Sequence, residues 1–423
     1  MGQPRARQQS DGTLPVKILA AIIVPPHLSA SGGARAGLRL SEALAPACDI
    51  AVAAMSAIDS ERPGGPPRLP VRTRLPQPFA LLPARYRALF YTSDIAALIR
   101  RGGYDLVHLH NPMPALELAR VARACRAAGV PYVVSTHGFN ELARGGEVYG
   151  LGLLRRLAWH FCVHRPVSRA VSGAAAVFAL SPADFPLVGG FGFAGTPSVV
   201  PNGVDPPAPL SALAQRTILQ RFELPRREDF PGITCMFLAN HTPNKGVPVL
   251  FDAFARLDCP YLLIVGGERR PEIDYDRLAR TARPDQRIVV TGRLSDEEVG
   301  ALLRRSDLFV FPTLADTFPL VVLEAMAHGV PVVASDVGGI AHQLDEDCGR
   351  LVPAGDPAAL AAAVAELAAD PPRLRAMGRQ ARRRASRFTW QAAAEAALQG
   401  YRRVCAEPPR AAARPLAVSG AAP

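Results

Sequence analysis

The sequence lacks any apolar run long enough to cross a bilayer. Its longest uncharged stretches, such as Ala170–Leu180, fall far short of a membrane span. The N-terminus, MGQPRARQQSDGTLP, has no apolar core behind its basic residues, which excludes a secretory signal. Cysteine is sparse and scattered: Cys48, Cys125, Cys162, Cys235, Cys259, Cys348 and Cys405 are odd in number and form no CxxC pair. That pattern excludes a disulfide framework and a zinc site, and points to reduced thiols in a cytoplasmic protein. Acid is missing altogether from Pro371 to Trp390, and no aromatic-interleaved basic motif suggests a nucleic-acid partner.

What remains is the balance of a folded chain, 49% hydrophobic and 20% charged. At 423 residues it is too long for one ordinary core, so two domains are expected. The net charge of +11 gathers in two places. Arg155, Arg156, Arg165 and Arg169 flank the apolar LAWHFCV, and seven arginines lie between Arg373 and Arg387. Each cluster reads as a solvated helix face, or else as a surface for an anionic membrane or acceptor.

Between residues 1–13 and the tail from about 408, both expected to be disordered, short β-branched runs alternate with helical patterns. VKILAAIIV, YDLVHLH, VPYVVSTHG, AAVFALS and PSVVPNGVD read as strands in the first half. GITCMFLAN, PYLLIVGG, QRIVVTG, DLFVFPT and PVVASDVGG read as strands in the second. The spacing predicts two doubly wound α/β domains with parallel sheets, joined by a proline-rich linker at 201–231. Ligands of such sheets bind at the carboxyl ends of the strands, so the two domains define one interdomain cleft.

The strongest local signal is DTFPLVVLEAMAHGVPVVASDVGG, residues 316–339. Phe318-Pro319 places a proline at or near the first turn of a helix, and the free amides of that turn, with the helix dipole, favour a bound diphosphate. Glu324, within the first two turns, can accept hydrogen bonds from ribose hydroxyls, and Asp316 can orient a sugar. Local physics alone favours the plainer reading, in which Asp316 N-caps the helix and Glu324 is an exposed helix residue.

The same stretch resembles the acidic signature of retaining glycosyltransferases of the GT-B fold, specifically glycosyltransferase family 4, in which two acids are spaced E-x7-E. Here Asp316 stands for the first glutamate, Thr317 for the usual glycine, and Glu324 matches the second acid. The resemblance implies that Glu324 binds the donor ribose, that Asp316 contacts the transferred sugar, and that the amides at Phe318, Pro319 and Leu320 hold sugar and phosphate. FLANHTPNKGVPVLFDAFARL (237–257) resembles the family's VGRLxxEKGxxxLLxAFxxL. Lys245 then neutralises the donor diphosphate, while Asn240 occupies the position of an arginine, with His241 or Arg293 left to compensate. VVTGRLSDEEVGALLRRSDLFVFPT is similar to a further family segment that makes Arg293 a neighbour of the nucleobase. PNGVD matches the domain junction, and FTW (388–390) the opening of a terminal helix, 388–407, that crosses back to the N-terminal domain.

In the first half, VPPHLSASGGARAGLRLSEAL resembles the glycine-rich opening of the family. Gly32 and Gly33 would let the backbone approach the diphosphate. His137, in STHG, corresponds to the histidine beside the reacting sugar, and His108 and His110 to structural or acceptor-side positions. The resemblance runs from about residue 14 to 405. It implies a GT-B fold with an acceptor domain at 14–203 and a donor domain at 204–387. It also implies transfer, with retention, from a nucleoside-diphosphate sugar to the hydroxyl of a glycan or lipid-linked acceptor, with no cofactor and no metal. A peripheral membrane contact is expected through LGLLRRLAWHFCVHRPVSR. The departures at Asn240 and Asp316 leave a second expectation, a weakly active or inactive GT-B protein that binds a nucleotide sugar or glycan as a partner subunit.

Overall fold

The computed structural model describes residues 14–28, 31–57, 64–148, 150–280 and 282–406. The expected tails at 1–13 and 408–423 lie outside the described residues.

In the first half, besides a short antiparallel pair at Thr73–Arg74 and Thr92–Ser93, the strands are β1 (Leu14–Ile22), β2 (Cys48–Ala54), β3 (Arg68–Leu69), β4 (Leu106–His110), β5 (Tyr132–Ser135), β6 (Ala176–Ala179) and β7 (Ser198–Val199). They form one parallel sheet in the order β3-β2-β1-β4-β5-β6-β7. In the second half β8 (Ile233–Leu238), β9 (Tyr261–Gly266), β10 (Gln286–Gly292), β11 (Leu308–Phe311), β12 (Val332–Ser335) and β13 (Gly349–Val352) form a second parallel sheet, ordered β10-β9-β8-β11-β12-β13. Both orders reverse beside the first strand of the sheet, as in a doubly wound fold, so each domain opens its ligand crevice at the strands' carboxyl ends. The central strands are apolar on both faces because helices cover both, which explains runs such as Leu262–Val265 with no polar alternation.

Among the helices are α1 (Gly32–Leu44), α2 (Phe139–Val148), α3 (Leu153–Trp159), α4 (Val247–Phe254), α5 (Leu320–Ala327), α6 (Pro371–Ala385) and α7 (Trp390–Ala406). Helix α7 belongs to the far end of the chain but packs in the first domain. Ala393, Ala397, Leu398, Tyr401 and Val404 join Ile18, Ile22, Leu38 and Phe178 in one buried cluster. The chain crosses between domains twice at one place, where Val204 N–H donates to the Phe388 carbonyl (2.8 Å).

One expectation changes. The segment 201–231 is no plain linker, because it carries a helix at Ala212–Arg221 capped by Ser211. None of its residues is buried, so it presents no apolar period to read. The arginines of α6 lie on the exposed side of a helix that buries Leu374, Met377, Gly378, Ala381 and Ala385, and Arg384 ties back to the carbonyls of His342 and Gln343. That exposure fits the reading as a solvated face.

Candidate active site

The C-terminal wall of the cleft is built by two loops that lock together. Gly246 adopts φ +72°, and a Cβ there would lie 1.9 Å from the Pro312 carbonyl oxygen, so only glycine lets the 240–246 loop pass so close. Buried Asn244 donates to the Ala315 carbonyl (3.0 Å), and its own carbonyl accepts from Leu314 N–H (2.6 Å) and Thr313 Oγ1 (2.8 Å). The outcome is that Lys245 Nζ meets Asp316 Oδ2 at 2.5 Å in a mostly buried ion pair. On the other side Gly338, at φ +54°, would place a Cβ 2.0 Å from the Asp316 carbonyl oxygen, and Gly339 N–H donates to the Thr317 carbonyl (2.7 Å). The length of the 316–339 signature thus has a physical basis: its two ends pack on each other.

Helix α5 begins at Leu320 with Pro319 as its N-cap. Phe318 and Pro319 therefore precede the helix, and Pro319 has no N–H to give. The amides available to an anion are those of Leu320 and the residues after it, and no side chain caps them. Asp316 is not the N-cap, since its carboxylate pairs with Lys245. Glu324 is not an exposed helix residue either. It is half-buried and faces Arg35 of α1 across the cleft, at 3.7 Å. Burial pushes its carboxyl up, opposed by Arg35, with Asp296 and Asp205 adding to the rise.

Asn240 stands at the end of β8 in the same loop as Lys245. Neither proposed substitute for the missing arginine is at hand. His241 is buried, with Nδ1 bonded to the Tyr275 hydroxyl (2.7 Å) and Nε2 to the Gly266 carbonyl (3.1 Å), so both ring nitrogens are used. Arg293 is exposed, follows the edge strand β10 and pairs with Glu268 (2.8 Å), while Asp316 follows β11 on the other side of β9 and β8.

The N-terminal wall is uncharged where it is deepest. His137 follows β5, is buried, and leaves Nε2 without a hydrogen-bond partner. Its ring lies 5.7 Å from that of His110, which in turn lies 3.8 Å from His108. His108 is structural: its nitrogens meet Tyr401 of α7 and Ser135, each at 2.7 Å. Burial pushes the imidazoles of His137 and His108 down to about 4 and about 3, and that of His110 well down, so all three are neutral at physiological pH. Gly32 and Gly33 are not a turn ahead of α1 but its first two residues, behind the N-cap Ser31. A Cβ on Gly33 would lie 2.1 Å from Asn111 Nδ2, so this glycine serves close packing of the helix N-terminus on the β4 and β5 strand ends, whereas a Cβ on Gly32 would meet open space.

The sequence reading missed the residues that join the walls. Asn140 and Glu141, on the first turn of α2, reach the donor side: Asn140 Nδ2 donates to the Asp316 carbonyl (2.6 Å), and Thr317 Oγ1 donates to Glu141 Oε2 (3.1 Å). Arg144, one turn on, donates to the Leu314 carbonyl (2.9 Å). Asn202 donates to the Phe318 carbonyl (3.0 Å). Burial, with Asp316 nearby, raises the Glu141 carboxyl to about 7 despite Lys245. The one hint in the sequence was position, since Asn140-Glu141 directly follows THG.

The family described as glycosyl transferases group 1 matches residues 232–370, and that described as glycosyltransferase family 4 matches residues 30–207. A phosphatidyl-myo-inositol mannosyltransferase of Mycobacterium leprae is 32% identical over 335 residues, 75% of this chain and 79% of the relative. The chain belongs to glycosyltransferase family 4. An MMP alpha-(1->4)-mannosyltransferase of Mycolicibacterium hassiacum is 30% identical over 324 residues, 73% of this chain and 72% of that one. Among solved structures, the fold matches sucrose-phosphate synthase from Thermosynechococcus elongatus (TM-score 0.70, 20% identity, 92% and 99% of the two chains). It also matches Anabaena HepE in complex with UDP and glucose (TM-score 0.68, 20% identity, 92% and 100%). The two parallel-sheet domains are those of a GT-B glycosyltransferase that uses a nucleotide sugar.

Proposed function

We propose that this family 4 glycosyltransferase moves a hexosyl unit from a nucleoside-diphosphate sugar to an acceptor hydroxyl with retention of anomeric configuration, the acceptor being a glycan or a lipid-linked molecule met at the inner face of a membrane. The observation that carries the reading is the row of Lys245, Asp316, the uncapped start of α5 and Glu324 along one wall, opposite His137 and α1. Breaking the sugar–phosphate bond leaves negative charge on the diphosphate. Lys245 and the amides from Leu320 onward oppose that charge without a cofactor or metal. Asp316 and His137 orient the sugar, and Glu324 takes the ribose. Arg35, beside Glu324 and at the start of α1, adds a cation that the Asn240 position does not supply. The mannosyl and inositol chemistry of the relatives supports a glycolipid or lipid-precursor acceptor.

Calorimetric titration with a panel of nucleotide sugars tests the donor site. Glu324→Ala is expected to weaken binding of the accepted donor by about 10- to 100-fold, the worth of hydrogen bonds to a charged group. Unchanged binding would show that the ribose site is elsewhere. The anomeric configuration of the product, read by proton NMR, tests retention. The departures at Asn240 and Asp316 favour a second reading, a sugar-binding partner without turnover, and hydrolysis or transfer of any donor by the purified protein excludes it.

A further inference from the structure

Eight large hydrophobic side chains are exposed among the described residues, and half of them fall in one nine-residue stretch: Leu153 (76% exposed), Leu154 (81%), Leu157 (49%) and Phe161 (56%). Their spacing puts them on one stripe of the rod formed by α3 and the turn that continues it through His164. The rod runs straight on into a helix at Arg165–Val171, and Val163 at its end, with Val167, Ala170 and Val171 of that helix, is buried in the domain core. The Trp159 ring lies so close to Gly145 of α2 that a Cβ there would meet it at 2.7 Å. The exposed stripe is therefore presented by a held element, not by a fraying one.

Its surroundings select the partner. Arg155, Arg156 and Arg165 are exposed around the stripe, Arg169 follows one turn later, and the Arg165 guanidinium lies 5.5 Å from the centre of the Phe161 ring. No Asp or Glu occurs between Glu147 and Asp184. Apolar side chains ringed by cations with no intervening acid match a surface that is apolar inside and anionic outside. The patch is also coupled to the cleft. Helix α2, ten residues and so about 15 Å long, carries Asn140, Glu141 and Arg144 on the donor loop and Gly145 under Trp159.

We propose that the 153–169 surface docks on an anionic lipid bilayer, with Leu153, Leu154, Leu157 and Phe161 in the interface and the arginines on lipid phosphates, so that the cleft draws its acceptor hydroxyl from a molecule held in that bilayer. The second clause rests on the transferase reading above; the docking does not. The test uses the whole protein with phosphatidylcholine vesicles, with and without phosphatidylglycerol, in flotation assays. Binding is expected to be about tenfold stronger with the anionic lipid and to fall as salt rises. The double variant L153S/L154S is expected to lose binding to both vesicles by about tenfold or more, and R155Q/R156Q to lose only the anionic preference. Both should keep the wild-type melting temperature and donor hydrolysis, since none of these side chains touches the site. Equal binding to both vesicles, or binding that neither variant alters, would overturn the proposal. So would a wild-type dimer in size-exclusion chromatography that L153S/L154S converts to monomer, which would assign the stripe to a second copy of the chain. Patch-dependent flotation without donor turnover would sink the transferase reading and leave the docking standing. Turnover without flotation would do the reverse.

Discussion

The two walls of the cleft solve opposite problems. The C-terminal wall holds charge and keeps it satisfied: Lys245 pairs with Asp316, Glu324 faces Arg35, and the start of α5 offers bare amides. Around His137 the N-terminal wall keeps charge out, with three neighbouring histidines whose burial holds them neutral, while its Arg35 meets Glu324 of the other wall. A diphosphate leaving group needs fixed positive charge on one side. An acceptor hydroxyl and a sugar ring need a wall that does not compete for it. Apart from Arg35, the wall carrying charge is local in sequence, two loops and a helix start, while the neutral wall is assembled from residues as distant as His108 and Tyr401.

The sharpest way to break the comparison is Lys245→Ala, which removes the fixed cation of the charged wall and orphans Asp316. Transfer or donor hydrolysis, measured as kcat/KM, should fall by about 10²- to 10³-fold, the usual cost of losing one group that stabilises developing charge. A loss of only a few-fold would mean that leaving-group charge is met elsewhere. Tyr401→Phe addresses the neutral wall from behind, leaving His108 Nδ1 buried and unbonded. Urea unfolding should show a loss of about 1–3 kcal/mol, with donor affinity unchanged. Asn240→Arg would place a second cation on the charged wall, and a donor affinity raised about fivefold is expected from one exposed charge–phosphate contact.

The seam between the walls gives the most gradual effect. Glu141 keeps its proton in the folded protein up to about 7 but loses it near 4.5 when unfolded. The stabilisation from that proton is complete below about 4.5, declines as pH rises, and is gone above about 7. Glu141→Gln has nothing to titrate there. The melting temperature of the wild type relative to this variant should therefore drop between pH 4.5 and 7 and stay level outside that window. A flat difference throughout would place an ionised Glu141 at the seam.

The charged wall was legible in the sequence because its contacts lie inside two continuous motifs. Lys245, Asp316 and Glu324 stand where those motifs put them, as do the strands and the returning helix. What was not legible depends on how the domains meet. Nothing near Arg35 indicates that Glu324 lies opposite it, and Glu141 gains its environment only when Thr317 and Asp316 arrive from the other domain. Pro319 stands at the helix start as expected, but as its N-cap, so the amides open to an anion begin at Leu320 and not at Phe318. The alternation of VHLHN does put His108 and His110 on one face of β4, but the partner hydroxyl is 293 residues away.

The return of α7 has a consequence for how the protein is made. A chain synthesised from its N-terminus exposes β1 first, yet one apolar face of that sheet, partly covered by α1, is completed only when Ala393, Leu398, Tyr401 and Val404 have been added. The second sheet keeps its own core within residues 224–388 apart from Leu180, and so can close while the first still waits. The domain translated first is thus the last to be finished. For most of its time on the ribosome the nascent protein carries an open hydrophobic surface, the kind of surface that chaperones bind.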